Sequence, residues 1–401
     1  MKFPLLYPEN QAEQSLRLSK VRAEMRQQGV ESLLIHSSVN LYYLTGGVCR
    51  GYYYLPAEGE PIFFKVAPAR PEHDFEVEIR KPEQISAVLK DRGYRLPESV
   101  GLEYDDLYYG EVDRLKRVFE GSKIVNGSTS MRRARMLKTD YEIEKMREDG
   151  IKQSRVYGRI DSLYREGMTD IEMQAEIERE MRREGCLGYL RAAGSRMELS
   201  LGSLIAGGNA DVASPYDFTM GGEGIDPSLP VGANGTLIEA GMTVMIDMNG
   251  GYNGYQTDMT RCRMVGEVPE IVKRGHECSR AILRDCEAFI RPGVEIGEIY
   301  RRAVAIVKEA GLEDYFMGHV NKVAFIGHGV GIELNEMPVI MERNKEAIAA
   351  GMTLAIEPKF VFAGVGAVGV ENTYVVHADR LENLTCHPEE MTRLDGKTEE
   401  R

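Results

Sequence analysis

The sequence predicts an α+β protein of two domains: a small N-terminal α/β domain, then a larger domain built from two similar halves. Three observations predict it. The chain has 401 residues, too many for one ordinary hydrophobic core. Its first third alternates helical and strand-like patterns. Further on, two stretches nearly repeat each other, "GMTVMID" at Gly241–Asp247 and "GMTLAIE" at Gly351–Glu357. Each copy is a buried-looking strand that ends in an acid.

The elements follow in order. Leu18, Val21 and Met25 recur at helical spacing, and Gly29 ends that helix. "ESLLIHS" reads as a short buried strand, and "GEPIFFKVAP" and "ESVGLEYDDL" continue the alternation to about Val125. "NGSTS" is loop chemistry and places a domain boundary near residue 130. Thr139 with Glu142, and Thr169 with Glu172, have the spacing of capping boxes. They open helices expected over 143–164 and 169–184, the second with Ile171, Ala175 and Ile177 as its apolar face. Glycine and short β-type runs then dominate: "GSLIAGG", "TVMIDMN", "TRCRMVGEV". Helices are expected over 270–290 and 297–310, and strands in "VAFIGHGVGIELNE", "TLAIEPKFVF" and "GVENTYVVH". The expected domains are 1–130 and 131–390, with 391–401 as a charged tail.

Composition narrows the function. The chain is 43% hydrophobic and 28% charged, as a soluble globular protein is. No apolar run approaches the roughly eighteen residues that span a membrane, and the first residues, "MKFPLLYPENQAEQ", lack a secretory leader. A net charge of −13 argues against nucleic acid as a partner. The six cysteines form no C-x-x-C pair. Reduced, buried thiols in a cytoplasmic protein are the expectation.

The chemistry is concentrated in acids on apolar strands. Asp247 ends the first repeated strand, "NGGYNG" turns the chain, and Asp258 lies in the returning strand eleven residues on. Across such a hairpin two carboxylates can share a face. His328 sits between glycines in "FIGHGVGIELNE", Glu357 follows Leu354, Ala355 and Ile356, and Glu371 lies inside "VGVENTYVV". A buried carboxylate without a partner costs several kcal/mol or titrates neutral. The nearby cations in sequence are Arg261 and Lys359. Metal is the expected counter-charge: four carboxylates and one imidazole suit two divalent ions of the Mn, Co, Fe or Zn type, which this donor set does not separate.

These five residues, in this order and within "GYQTDMTR", "GHGVG" and "IEP", resemble the pita-bread metallopeptidase family, which includes aminopeptidase P, prolidase, methionine aminopeptidase and creatinase. "NLYYLTGG" at Asn40–Gly47 resembles the N-terminal domain of the aminopeptidase P and prolidase branch, and "RMLKTDYEIEKMR" its linker. The resemblance implies a creatinase-like N-terminal domain on a pita-bread catalytic domain, commonly a homodimer. It implies that metal-activated hydroxide attacks a peptide carbonyl, often the one before proline. Glu357 would be both ligand and general base.

The substrate residues depart from that pattern. Val231, in "SLPVGANG", stands where active members carry the histidine of Pro-His-Gly. Asn335, in "ELNEMP", replaces the histidine of His-Glu-x-Pro, and Gly369 and Asn372 flank Glu371 where Arg and Asp are common. Neither Val nor Asn carries a proton at neutral pH. Candidate substitutes are His319 as a catalytic group, Tyr255 as a hydroxyl donor, and Tyr216 with Asp217 in a glycine-flanked loop. The expectation is a dinuclear hydrolase acting on an Xaa-Pro dipeptide or short peptide. The alternatives are C–N cleavage or lyase chemistry on a non-peptide small molecule, as in creatinase, and a non-catalytic metal-binding paralogue.

Overall fold

The computed structural model describes residues 11–67, 73–194, 200–216, 221–320 and 322–396. The chain divides into two compact units, Met1–Arg135 and Met136–Arg401.

The first unit runs α1 (Gln11–Gln28), β1 (Ser32–Ile35), α2 (Ser38–Thr45), β2 (Arg50–Pro56), β3 (Ile62–Ala67), β4 (Glu76–Glu78), α3 (Ile85–Asp91), β5 (Ser99–Leu102), α4 (Tyr109–Val118) and β6 (Lys123–Asn126), and α5 (Ser128–Met136) follows. One mixed sheet has the strand order β4-β3-β2-β1-β5-β6. All four residues of the central β1 are buried, which suits a strand covered on both faces. Helix α1 buries Val21 and Met25 completely, and Gly29 leaves it at φ +65°. Leu34, Phe64, Leu102, Val112 and Phe119 belong to this unit's core.

In the second unit, α6 (Asp140–Tyr157) and α7 (Asp170–Arg183) open with reciprocal caps. Thr139 Oγ1 accepts from Glu142 N at 3.2 Å while Glu142 Oε2 accepts from Thr139 N at 2.9 Å, and Thr169 with Glu172 does the same. Helix α6 stops earlier than expected, at Tyr157 before Gly158, and a single 3₁₀ turn follows at Ile160–Ser162. Tyr157 is an anchor there: its hydroxyl donates to Met259 O at 2.5 Å. The apolar face of α7 is also corrected. It is Met173, Ile177 and Met181 that are fully buried, whereas Ala175 is exposed and Ile171 half-buried. The true stripe keeps the four-residue spacing.

The remaining elements are β7 (Gly202–Ala206), β8 (Thr243–Met248), β9 (Thr260–Met264), α8 (Glu270–Phe289), α9 (Ile296–Ala310), β10 (Gly327–Gly329), β11 (Glu336–Val339), β12 (Thr353–Ile356), β13 (Lys359–Phe362), β14 (Gly366–Gly369), β15 (Asn372–Val376), β16 (Leu381–Asn383) and β17 (Thr392–Arg393). They form a four-stranded sheet β17-β9-β8-β7, a five-stranded sheet β11-β10-β12-β15-β16, and the hairpin β13–β14. Ile282, Ile299, Val307, Leu354, Phe360 and Val368 pack together in one core.

The repeated strands occupy matching places. β8 lies between β7 and β9, and β12 lies between β10 and β15. Gly241 and Gly351 both take left-handed backbone, φ +92° and +86°. Each donates its N–H at 2.8 Å to a carbonyl at the far end of the partner strand, Gly241 to Val265 O just past β9 and Gly351 to Val376 O at the last residue of β15. The halves meet at a short antiparallel bridge, where Glu371 N donates to Thr260 O at 3.2 Å.

Two expectations change. Residues 391–396 are not a loose tail: β17 pairs with β9, and Leu394 is 4% exposed. All six cysteines are unpaired, yet Cys386 is exposed and Cys49 half-exposed. No described helix is long and apolar enough to cross a membrane.

Candidate metal centre

The seam between the halves gathers the acids. β8 delivers Asp247, and the ligand hairpin returns Asp258 just before β9. Asp247 is registered with Thr260, so Asp258, two residues earlier, lies on the same face. Asp149, from α6, fixes this hairpin. It is fully buried and accepts from Tyr252 N at 2.6 Å and Thr257 Oγ1 at 2.7 Å. A Cβ at Gly250 would lie 2.2 Å from Asp149 Oδ2, which explains one glycine of the turn.

The second half contributes His328, Glu357 and Glu371. The glycines around His328 allow tight strand packing. A Cβ at Gly327 would lie 2.2 Å from Ala355 O, and one at Gly329 would lie 2.0 Å from Met337 O. His328 Nδ1 is 3.0 Å from Gly329 O. A carbonyl only accepts, so Nδ1 carries the proton and the Nε2 lone pair faces the acids, in the form that can ligate a cation between them. Nε2 lies 3.6 Å from Glu357 Oε1 and 3.9 Å from Asp258 Oδ2. Glu371 Oε2 accepts from Thr260 Oγ1 at 2.7 Å, while its Oε1 is buried with no hydrogen-bond partner.

Lys359 stands among these groups. Its Nζ lies 2.8 Å from Asp247 Oδ2, 2.8 Å from Glu357 Oε2 and 3.1 Å from Glu371 Oε2. The counter-charge expected from metal alone is therefore supplied in part by the ammonium of this lysine. Arg261, the other nearby cation, points away. It is fully buried and donates to the carbonyls of Thr260, Glu371 and Thr385 and to Asn372 Oδ1. That contact gives Asn372 a structural task.

The electrostatics show an acid-rich cage. Burial, then the charge of Asp247, pushes Asp258 well above the carboxylate range, and burial, then Asp258, does so for Glu371. Burial pulls Lys359 down, but Asp247, Glu357 and Glu371 together hold it well above lysine's usual value. Four acids and one ammonium leave negative charge uncompensated. The residues fit a divalent ion beside Lys359. Ligand atoms of Asp258, His328 and Glu371 lie within 4.8 Å of one another, and the donor set is hard oxygen with one imidazole. The unpartnered Glu371 Oε1 is the kind of atom a metal satisfies.

The other candidates lie elsewhere. Tyr255 is 2% exposed, and its hydroxyl donates to Glu142 Oε1 at 3.1 Å. Asn335 gives Nδ2 to Ala193 O at 3.0 Å and accepts from Ala193 N at 2.6 Å. Val231 lines a cavity with Ile171, Ser203 and Leu229. His319 Nδ1 is 2.9 Å from Asp211 Oδ1, in a separate cavity lined also by Ser214, Tyr216, Lys322 and Val361. Asp217 lies outside the described residues. Sequence reasoning missed Asp149, Thr260 and Glu336. Glu336 Oε2 pairs with Lys138 Nζ at 2.8 Å, and its Oε1 accepts from Ile332 N at 3.0 Å. It thereby ties down the loop after the glycine run.

Comparison with known proteins agrees with this architecture. The model of metallopeptidase family M24 matches residues 144–378, and that of the creatinase/prolidase N-terminal domain matches residues 17–137. The chain is 26% identical over 387 residues to an Xaa-Pro dipeptidase of Pyrococcus furiosus, covering 94% of this chain and 99% of the relative. Among solved structures, an Xaa-Pro dipeptidase from Bacillus anthracis aligns with a TM-score of 0.79 at 22% identity, covering 95% of this chain and 99% of that one. The prolidase from Pyrococcus horikoshii aligns with a TM-score of 0.76 at 22% identity, covering 94% and 99%. With its creatinase/prolidase N-terminal domain and an acid cage at the seam of a pita-bread domain, the chain belongs to metallopeptidase family M24.

Proposed function

We propose that the protein is a metal-dependent hydrolase that cleaves the peptide bond before proline in dipeptides or short peptides. One observation carries the reading. Asp247, Asp258, His328, Glu357 and Glu371, spread over 125 positions, converge on one buried point with acceptor atoms turned inward. The similarity to Xaa-Pro dipeptidases supports the substrate class. Asp258, His328, Glu357 and Glu371 would hold a divalent ion, Mn(II) or Co(II) foremost. Such an ion supplies Lewis acidity and makes water a competent nucleophile near neutral pH. Glu357 takes the proton of the attacking water and returns it to the leaving amine. Lys359, bonded to Glu357 Oε2, fixes that carboxylate and leaves Oε1 directed towards His328. His319 and Tyr216 line the cavity proposed to receive the substrate; its wall includes Val361, two residues along β13 from Lys359. A homodimer, which the family resemblance implies, in the cytoplasm, which the absence of a C-x-x-C pair among the six cysteines favours, completes the reading.

The test is turnover of a panel of Xaa-Pro dipeptides and short Xaa-Pro peptides by protein loaded with Mn(II) or Co(II), with bound metal quantified. Proline release supports the proposal; metal-loaded protein that releases none rejects it.

A second reading is a small non-peptide amide or amidine as substrate. The observation favouring it is that Asn335 spends both ends of its amide on Ala193. A side chain so engaged, with the apolar Val231, offers a peptide neither a proton nor a ready donor. Turnover of such compounds by protein inert to the peptide panel would select this reading.

A further inference from the structure

We propose that the Lys359 ammonium occupies one of the two cation positions of a dinuclear centre, so that this chain holds a single divalent ion between Asp258, His328, Glu357 and Glu371. The inference rests on the metal-centre reading above and deepens it.

Geometry carries the argument. Nζ has three protons and three carboxylate oxygens around it, one each from Asp247, Glu357 and Glu371, at 2.8, 2.8 and 3.1 Å. A divalent ion would need oxygens of the same acids at roughly 2.0–2.2 Å. An ion bound by these three oxygens would fall nearly on top of Nζ, where like charges repel. The lysine has no easy exit. Its side chain is 2% exposed, and its backbone is held in β13, where its carbonyl accepts from Met317 N at 2.9 Å. Gly369 faces it across the hairpin, and a Cβ there would lie 3.0 Å from Lys359 Cγ. That glycine leaves room for the lysine stem.

The opposite side of the cage is different. Among the described hydrogen bonds, Nζ does not reach Asp258 or His328. Glu371 Oε1 has no partner there, and His328 Nε2 faces the same acids. The chain therefore supplies one fixed monovalent cation and one open place. The lysine also leaves the metal-free cage less repulsive than four bare carboxylates would be.

The experiment counts metal and reads its spectrum, without turnover. Full-length protein is stripped with chelator, equilibrated with excess Mn(II), desalted and analysed by plasma mass spectrometry and electron paramagnetic resonance. The expected result is one Mn per chain with the hyperfine pattern of an isolated ion. Lys359→Ala should take up a second ion and show an exchange-coupled signal, while Lys359→Arg should stay at one. Two coupled ions in the wild-type protein, or none, overturn the proposal. So does a folded Lys359→Ala variant, checked by circular dichroism, that remains at one. If that variant does not fold, the wild-type count and spectrum decide alone. A failed peptide panel would leave this count standing, so the two readings fail separately.

Discussion

Glu357 and Lys359 are separated by one proline, and in an extended segment residues two apart share a face. That alone directs the lysine towards the acids that Glu357 meets. By the same rule Arg261 faces away, because Thr260 beside it bonds Glu371. Alternation along each strand decides which cation joins the cage, and this signal was present in the sequence. The side chains of Tyr255, Asn335 and His319 were not legible in that way, because they sit in turns and loops where no period fixes direction. Their partners, Glu142, Ala193 and Asp211, are each at least 108 positions away. The proton role of Glu357 is tested by Glu357→Gln, which keeps the shape and removes the base. A rate loss of roughly 10²–10⁴-fold in kcat is expected, as for other general bases. Steady-state kinetics on protein of measured metal content gives the answer, and near-normal kcat would remove Glu357 from that role.

At the scale of elements, the ligand hairpin depends on a residue outside it. Burial pushes the Asp149 carboxyl up from 3.8 to about 7, against the opposing hydrogen bonds of Tyr252 and Thr257 and the charge of Lys152. The folded protein therefore keeps a proton that the unfolded chain releases. The sign follows from linkage: this group's contribution to stability is greatest below pH 4, falls as pH rises towards 7, and is level above. At about 1.4 kcal/mol per unit, the fall is at most about 4 kcal/mol. Asp149→Asn imitates the protonated acid, with Oδ1 for Tyr252 N–H and an amide for Thr257. Denaturant unfolding of both proteins from pH 4.5 to 7.5 should show the wild type losing stability relative to the variant as pH rises. A difference independent of pH would mean that Asp149 is ionised throughout. The hairpin was legible as "NGGYNG" between two acids, but its anchor was not. Asp149 lies on a helix 109 positions before Asp258, and only the packing of α6 brings it there.

At the scale of the molecule, the twofold design of the second unit was readable because the same physical demand is met twice. A left-handed glycine starts each central strand, apolar residues bury it, and an acid closes it at the seam. The residues proposed to hold the metal thus come from both halves of that unit, and none comes from Met1–Arg135. Metal should therefore stabilise one unit selectively. An ion at a hundredfold excess over its Kd adds about 2.7 kcal/mol to whatever unfolds with its site. For a unit of this size that shifts Tm by roughly 5–10 °C. Calorimetry of the full chain with Mn(II), and again with chelator, should show one transition moving by that amount. The transition of the N-terminal unit should stay where it is. Hydrogen exchange would assign the transitions, with β1 and β5 reporting the first unit and β8 and β12 the second. If protection of both units rose together on adding metal, the units would unfold as one, and the acid cage would stabilise the whole chain rather than its own half.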